Sequence, residues 1–266
     1  AILSVGMSMP SFPLLFRSQS PNAAVGAILE WSDVAQGFLY HGVAGVGQEL
    51  IDLWSASSVM RSNLVNFKMD VHRWRQLATW DSQVQASTIL TKVGRTSWGI
   101  QTSLRFTTGE LLAVVDTAMV AVDSETHSKS VPLPNREMIA AAIQKAEPCS
   151  ASPVVEAQPA DAFIWRFEVR ESDCDLLGHI NNASYGYLIE DARYAFVRAR
   201  QGSPAMAAGP TIVSIEYLGQ PKAGDAVDLI VWWDAAQSAF GFKFDRQGEE
   251  VARATMVVGA IPSSSL

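Results

Sequence analysis

From Asn182 to Arg200 the apolar positions recur every three or four residues. Tyr185, Leu188, Ile189, Ala192 and Phe196 make one stripe, and Asp191, Arg198 and Arg200 lie opposite, which predicts a helix laid on a core. Asn181 or Asn182 is its natural N-cap, so its first-turn amides and the positive end of its dipole point back toward Asp175 and His179. Before and after it the pattern is that of strands. Phe163 to Arg170 precedes the helix, and four segments follow near Thr211 to Leu218, Asp225 to Trp233, Ser238 to Phe244 and Val251 to Val258.

The first half repeats this order. An apolar segment, Ala23 to Trp31, is expected as a strand leading through Asp33 and Gly37 to a helix from about His41 to Ser57, with Val43, Val46, Leu50 and Trp54 on one face. Four strands follow near Leu64 to His72, Asp81 to Leu90, Ser97 to Thr107 and Leu111 to Val122, and the turn Thr108-Gly109 matches Gln247-Gly248. Gly37 and Gly178 are each followed by a glutamate, Glu49 and Glu190, and corresponding landmarks lie about 140 residues apart, the mark of a tandem duplication. Between the repeats, Ser130 to Ala162 holds a short helix, Arg136 to Ala146, then a Pro-, Ala- and Ser-rich linker. The division is residues 1–130, a connecting 131–161, and 162–266. Each unit is α+β, an antiparallel sheet with one long buried helix.

Composition narrows the function. The 266 residues suit two domains, and 48% hydrophobic content supports two cores. A net charge of −7 with no basic stripe argues against a nucleic-acid partner. No apolar run reaches membrane-spanning length. Residues 1–29 carry Arg17 and no acid, which fits the remnant of an organelle transit segment or a strand with its lead-in loop. Cys149 and Cys174 form neither a disulfide framework nor a metal site and fit a reducing compartment, cytoplasm or organelle lumen, rather than secretion. The four histidines show no HExxH spacing, so no metal is expected.

Chemistry concentrates in Asp173 to Arg193, DCDLLGHINNASYGYLIEDAR, where two carboxylates, a Gly-His step and an Asn pair open the helix. Cys174 lies between Asp173 and Asp175, whose charge suppresses a thiolate and argues against a nucleophilic role. The stretch resembles the D-x-D-x-x-G-H-x-N-N-x-x-Y signature of hotdog-fold thioesterases, which include 4-hydroxybenzoyl-CoA thioesterase-like enzymes and acyl-ACP thioesterases. Asp173, Asp175, Gly178, His179, Asn181, Asn182, Tyr185, Glu190 and Arg193 fall on the pattern. The resemblance implies two tandem hotdog units, each sheet wrapped around one long helix, forming an internal pseudo-dimer. A homodimer of such double hotdogs stays open.

The resemblance also implies the reaction, hydrolysis of an acyl-CoA or acyl-carrier-protein thioester without a cofactor. Asp175 would act as nucleophile or general base. His179 would orient it or the water, Asn181 or Asn182 would fix the thioester, and backbone amides from about Gly178 to Asn182 would hold the oxyanion. Tyr185, Glu190 and Glu49 are substrate-binding candidates. Acyl-ACP thioesterases have an Asn two residues before the His, here Leu177, and an acidic and thiol pair that aligns with Gln220 and Pro221. The carrier therefore stays open. Arg73, Arg75, Arg193, Arg198 and Arg200 are cations that would meet its phosphates or acidic surface, or simply solvated charges.

In the first half the corresponding turn holds Val34 or Ala35, then Gly37, Phe38, Tyr40 and His41, with Asp33 one residue out of register. The expectation is a first unit that keeps the fold and has lost the chemistry, one site per chain, and little consequence from Asp33→Asn. Two rival readings remain: a silent acyl-binding hotdog protein, and a dehydratase or hydratase in which Glu49 or Glu190 faces His179.

Overall fold

In the computed structural model the described residues are 4–10, 24–41, 58–70, 73–74, 83–125, 129–133, 136–141, 143–155, 157–175 and 178–259. Their elements in chain order are β1 (Ser4–Pro10), α1 (Ala24–His41), β2 (Ser58–Phe67), β3 (Gln83–Val93), β4 (Ser97–Phe106), β5 (Leu111–Ala121) and α2 (Arg136–Ala140). Then come β6 (Phe163–Glu168), α3 (Asn182–Ala199), β7 (Pro210–Tyr217), β8 (Ala226–Asp234), β9 (Ala239–Arg246) and β10 (Glu249–Val258).

The strands form one ten-stranded sheet in the order β1-β3-β4-β5-β2-β7-β10-β9-β8-β6. All neighbours are antiparallel. From each outer edge inward the two halves share one order, and they meet where β2 pairs β7 with Asn63 opposite Ile215 and Val65 opposite Val213.

Alternation explains the strands. In β9, Phe240, Phe242 and Phe244 point to the core, while Gly241 faces the other way and lets the Trp232 ring lie across it. Tyr185 and Phe196 of α3 meet this row, with ring centroids 5.0 Å from Phe244 and 5.7 Å from Phe240. The predicted stripe on α3 is buried throughout, no member more than 6% exposed. Each large apolar side chain there contributes about 1.5–3 kcal/mol. The turn at Gln247-Gly248 has positive φ at both residues, 55° and 89°, the backbone that a tight hairpin between β9 and β10 requires.

The first half corrects the sequence reading. Ala24–His41 is a helix, where a strand at 23–31 and a helix only from 41 were expected. Val43, Val46, Leu50, Trp54 and Glu49 lie outside the described residues. The reason is packing on two sides: Val25, Ala27, Ile28, Leu29, Trp31 and Ala35 are all buried because the sheet covers one flank of α1 and α3 another. A helix apolar nearly all round loses its period and reads like a buried strand. The repeat spacing is also uneven. Ala24 and Asn182 open the two helices 158 residues apart, whereas Leu111 and Glu249 open the last strands 138 apart.

The two long helices run antiparallel in direct contact. A Cβ on Gly186 would stand 2.8 Å from the Cα of Gly26, and the Tyr187 ring covers Gly26 from α3. Polar pairs follow along the seam: Glu190 Oε2 accepts from Val25 N at 2.9 Å, and Tyr187 OH donates to Glu30 Oε2 at 3.0 Å. Asp33 of α1 lies near Asn182. The connecting segment is tied to the first half. Ser150 and Asn66 exchange two hydrogen bonds, and Gln101 exchanges two with the Glu147 backbone.

Because backbone meets backbone at this crossing, Gly186→Val has nowhere to place its side chain without separating the helices. A loss of roughly 1–3 kcal/mol, the usual cost of overpacking, is expected in urea unfolding, and an unchanged midpoint would mean that the helices are not held this closely.

Candidate functional site

The turn before α3 is built by its own side chains. The Asp173 carboxylate is buried and receives the Arg170 amide at 3.0 Å and its guanidinium at 2.6 and 2.9 Å. Burial alone would raise the Asp173 pKa, but these bonds from Arg170 hold it below the ordinary value. The Asp173 carbonyl then accepts from Asn181 N at 2.8 Å, which closes the loop over Asp175 to Ile180. Within it, Asp175 N donates to His179 O at 2.8 Å and Gly178 N to Asp175 O at 3.0 Å, with Gly178 at φ +77°. That left-handed step returns His179 to Asp175 and is cheap only for glycine.

Asn181 is the N-cap of α3, its side chain accepting from Ala183 N at 2.8 Å. Asp175, His179, Asn182 and Tyr185 line a cleft of about 1070 Å³ with Tyr217, Lys222 and Arg246 of the second half and Met60, Arg61 and Met119 of the first. Asp175 is exposed and His179 half-buried. The cleft straddles the β2–β7 seam.

The expected oxyanion amides are arranged differently from the sequence reading. Gly178 N and Asn181 N serve the loop, Ile180 N donates to Pro221 O at 3.0 Å, and His179 N approaches Asp175 Oδ1 at 3.3 Å. A tight hairpin satisfies its own donors, as buried backbone must. Asn182, the next member of the set, opens α3 and lines the cleft.

Other candidates are placed as follows. Glu190 is fully buried and caps α1, away from the cleft, and Oε1 has no hydrogen-bond partner among the described residues. Burial raises its pKa to about 8, against the nearby Arg193 charge and the α1 amides that favour its ionised form. Arg193 is buried and donates to Ala208 O at 2.7 Å, so it is not a surface cation for a carrier. Glu49, Arg75 and Leu177 lie outside the described residues. Burial and then the carboxylates of Glu171, Asp173 and Asp175 raise the Cys174 thiol, which disfavours a thiolate. Among the described residues no group of three or more His, Cys, Asp or Glu could hold a metal, and no helix is long and apolar enough to cross a membrane.

The residue that sequence reasoning discounted is Asp33. It sits within α1 near the Asn182 side chain, and its Oδ1 is shielded from solvent without a hydrogen-bond partner among the described residues. Burial raises it to about 7, against the nearby Asn182 carboxamide and with Glu30 adding to the rise. The signal was present as an acid within the apolar run Ala24 to Ala35, but the strand reading concealed it.

Residues 156–258 match the family model of the acyl-ACP thioesterase C-terminal domain, in agreement with the hotdog thioesterase resemblance of residues 173–193. The fold is similar to that of an acyl-ACP thioesterase from Bacteroides thetaiotaomicron, at 13% identity over 96% of this chain and 97% of that one, with a TM-score of 0.71. It is also similar to the 12:0-ACP thioesterase from Umbellularia californica, at 15% identity over 97% of each chain, with a TM-score of 0.63. No curated protein matches the chain in sequence. The fold is hotdog-like α+β.

The raised Glu190 carboxyl fixes the sign of one pH effect. Its contribution to stability is full below the ordinary pKa of 4.5 and is lost as pH rises through about 8, since the folded state holds the proton more firmly. Glu190→Gln removes this dependence, so calorimetric melting curves should show the variant gaining on the wild type between pH 5 and pH 9. Parallel curves across that range would contradict the buried titration.

Proposed function

We propose that the protein is an acyl thioesterase composed of two tandem hotdog units, residues 1–130 and 162–266, paired as an internal pseudo-dimer with one working site. What carries the reading is the meeting of Asp175 and His179 at the opening of α3, on a cleft between the halves and inside the segment that matches the thioesterase family. A cleft of about 1070 Å³ lies near the upper end of ligand pockets, about 300–1,000 Å³, and suits an acyl chain with part of its carrier.

In the reaction Asp175 either attacks the thioester carbonyl carbon, giving a mixed anhydride that water cleaves, or takes a proton from the attacking water. In both routes the C–S bond breaks, the carrier thiolate leaves and is protonated, and one water is consumed. His179 orients the carboxylate or the water. The Asn182 amide at the start of α3, where the helix dipole is positive, stabilises the developing oxyanion. CoA and acyl-carrier-protein esters are both substrates to be tried; Lys222 lies on the cleft, where Arg246 is paired with Asp225 and Glu249 and Arg61 with Glu216. The dehydratase alternative needs Glu49 or Glu190 facing His179; Glu190 is engaged with α1, and Glu49 lies outside the described residues.

Asp175→Asn is nearly isosteric but neither basic nor charged, so turnover of acyl-CoA and acyl-carrier-protein esters should fall by about two to four orders of magnitude. Thiol release is the assay. The variant should still bind one non-hydrolysable acyl thioester analogue per chain; near-normal turnover would end the assignment, and two equivalent sites would end the single-site reading.

A further inference from the structure

A run of hydrogen-bonded side chains crosses the interior from α1 to the cleft. Gln36 Nε2 on α1 donates to Ser32 Oγ and to Thr117 Oγ1 on β5, both at 2.9 Å. Thr117 Oγ1 donates to Asn63 Oδ1 on β2 at 2.7 Å, and Asn63 Nδ2 donates to Tyr217 OH on β7 at 3.1 Å. Ser32, Gln36, Asn63 and Thr117 are all buried, none more than 2% exposed. Asn63 Nδ2 also meets Met60 Sδ at 3.0 Å. Met60 and Tyr217 line the cleft from opposite halves, so one carboxamide of the first half holds a wall residue of each.

These bonds fix the hydrogens along the run. A thioether sulfur cannot donate, so the Asn63 atom that faces Met60 is the NH₂ and not the oxygen. Thr117, whose oxygen receives Gln36, spends its own hydrogen on Asn63 Oδ1. The Tyr217 oxygen is therefore an acceptor toward Asn63, and its hydrogen has to point elsewhere. Among the described residues no acceptor is bonded to that hydrogen, and Tyr217 borders the cleft. Burial raises the phenol well above its ordinary pKa, so the hydrogen is present throughout the neutral range.

The Tyr217 ring lies edge-on to Tyr185, with 5.2 Å between centroids. Tyr185 follows Asn182 by about one turn of α3, a rise of about 5 Å. Tyr217 is thereby set back from Asp175 and His179 at the opening of the helix, alongside a bound acyl group rather than at its thioester carbon. The neighbouring wall, Met60, Met119 and Val120, is apolar. A plain hydrocarbon seated there would strip water from the phenol and return no acceptor.

We propose that Tyr217, oriented by Asn63, is a specificity-determining hydrogen-bond donor, and that the acyl group taken by the cleft carries an oxygen, hydroxyl or oxo, a few carbons beyond the thioester. The substrate class rests on the thioesterase reading; the donor and its orientation do not.

The test compares acyl-CoA and acyl-carrier-protein esters of equal length, saturated or bearing a hydroxyl or oxo oxygen on the third or fifth carbon. They are assayed with the wild type, Tyr217→Phe and Asn63→Asp full chains, each checked by circular dichroism. The wild type should favour an oxygenated ester in kcat/KM by about 10- to 100-fold, the range in which one unmade buried hydrogen bond discriminates. An oxo group should serve as well as a hydroxyl, because Tyr217 donates. Tyr217→Phe removes the hydrogen and should bring the ratio close to unity. Asn63→Asp keeps the phenol but offers it an acceptor, so the hydrogen turns from the cleft and the preference should fall in the same way. Equal or saturated-favouring kcat/KM in the wild type, or the full preference retained by Tyr217→Phe, would overturn the proposal; the full preference in folded Asn63→Asp would overturn the part given to Asn63. Calorimetric binding of non-hydrolysable saturated and oxo analogues reads the same preference without turnover. A protein that hydrolyses none of the esters yet binds the oxo analogue more tightly, and loses that margin in Tyr217→Phe, would fail as a thioesterase and keep the donor. Equal binding of the two analogues, or none, would sink the donor as well.

Discussion

Close contact between the two long helices governs the rest of the molecule. Gly26 and Gly186 let α1 and α3 approach to the point where a Cβ would collide, and burial of both helices by a continuous sheet follows from that approach. With side chains of ordinary size at the crossing, Glu190 would not reach Val25 N, nor would Tyr187 OH reach Glu30. The buried Glu190 side chain accepts from the first turn of α1 and so joins residues from opposite halves. The pairing of β2 with β7 fixes the same relation from the sheet side.

The loop ahead of α3 illustrates how a site can be rigid without being a bare helix terminus. Arg170 and Asp173 lock its base, Gly178 supplies the one left-handed step, and the loop amides mostly bond within it or to Pro221. Most of the loop's backbone donors are spent within it, which leaves side chains such as the exposed Asp175 and the half-buried Asn182 to face the cleft.

Much of this was legible in the sequence. The α3 stripe, the strands around it and the glycine turns are local patterns: a helix or strand with one buried and one wet face writes its period into the chain, and a positive φ selects glycine or a few polar residues. The Asp175–His179 turn was legible for the same reason, since its chemistry and its closing hydrogen bonds lie within a few residues of one another.

Tertiary structure decided what depends on two distant segments. α1 was misread because burial on two flanks removes the polar face from which periodicity is inferred. The place of Glu190 was hidden because its helix repeat and motif position say nothing of the Val25 amide, which reaches it from 165 residues away. The surroundings of Asp33 were hidden because its register was compared with Asp175, whereas the helix crossing encloses its Oδ1 beside α3. The chain thus specified its elements and the turn before α3 through short-range periodicity and hydrogen bonding. What the two halves bring against one another was fixed only by the packing of one helix on the other, where desolvation alters the chemistry of buried carboxyls such as Glu190.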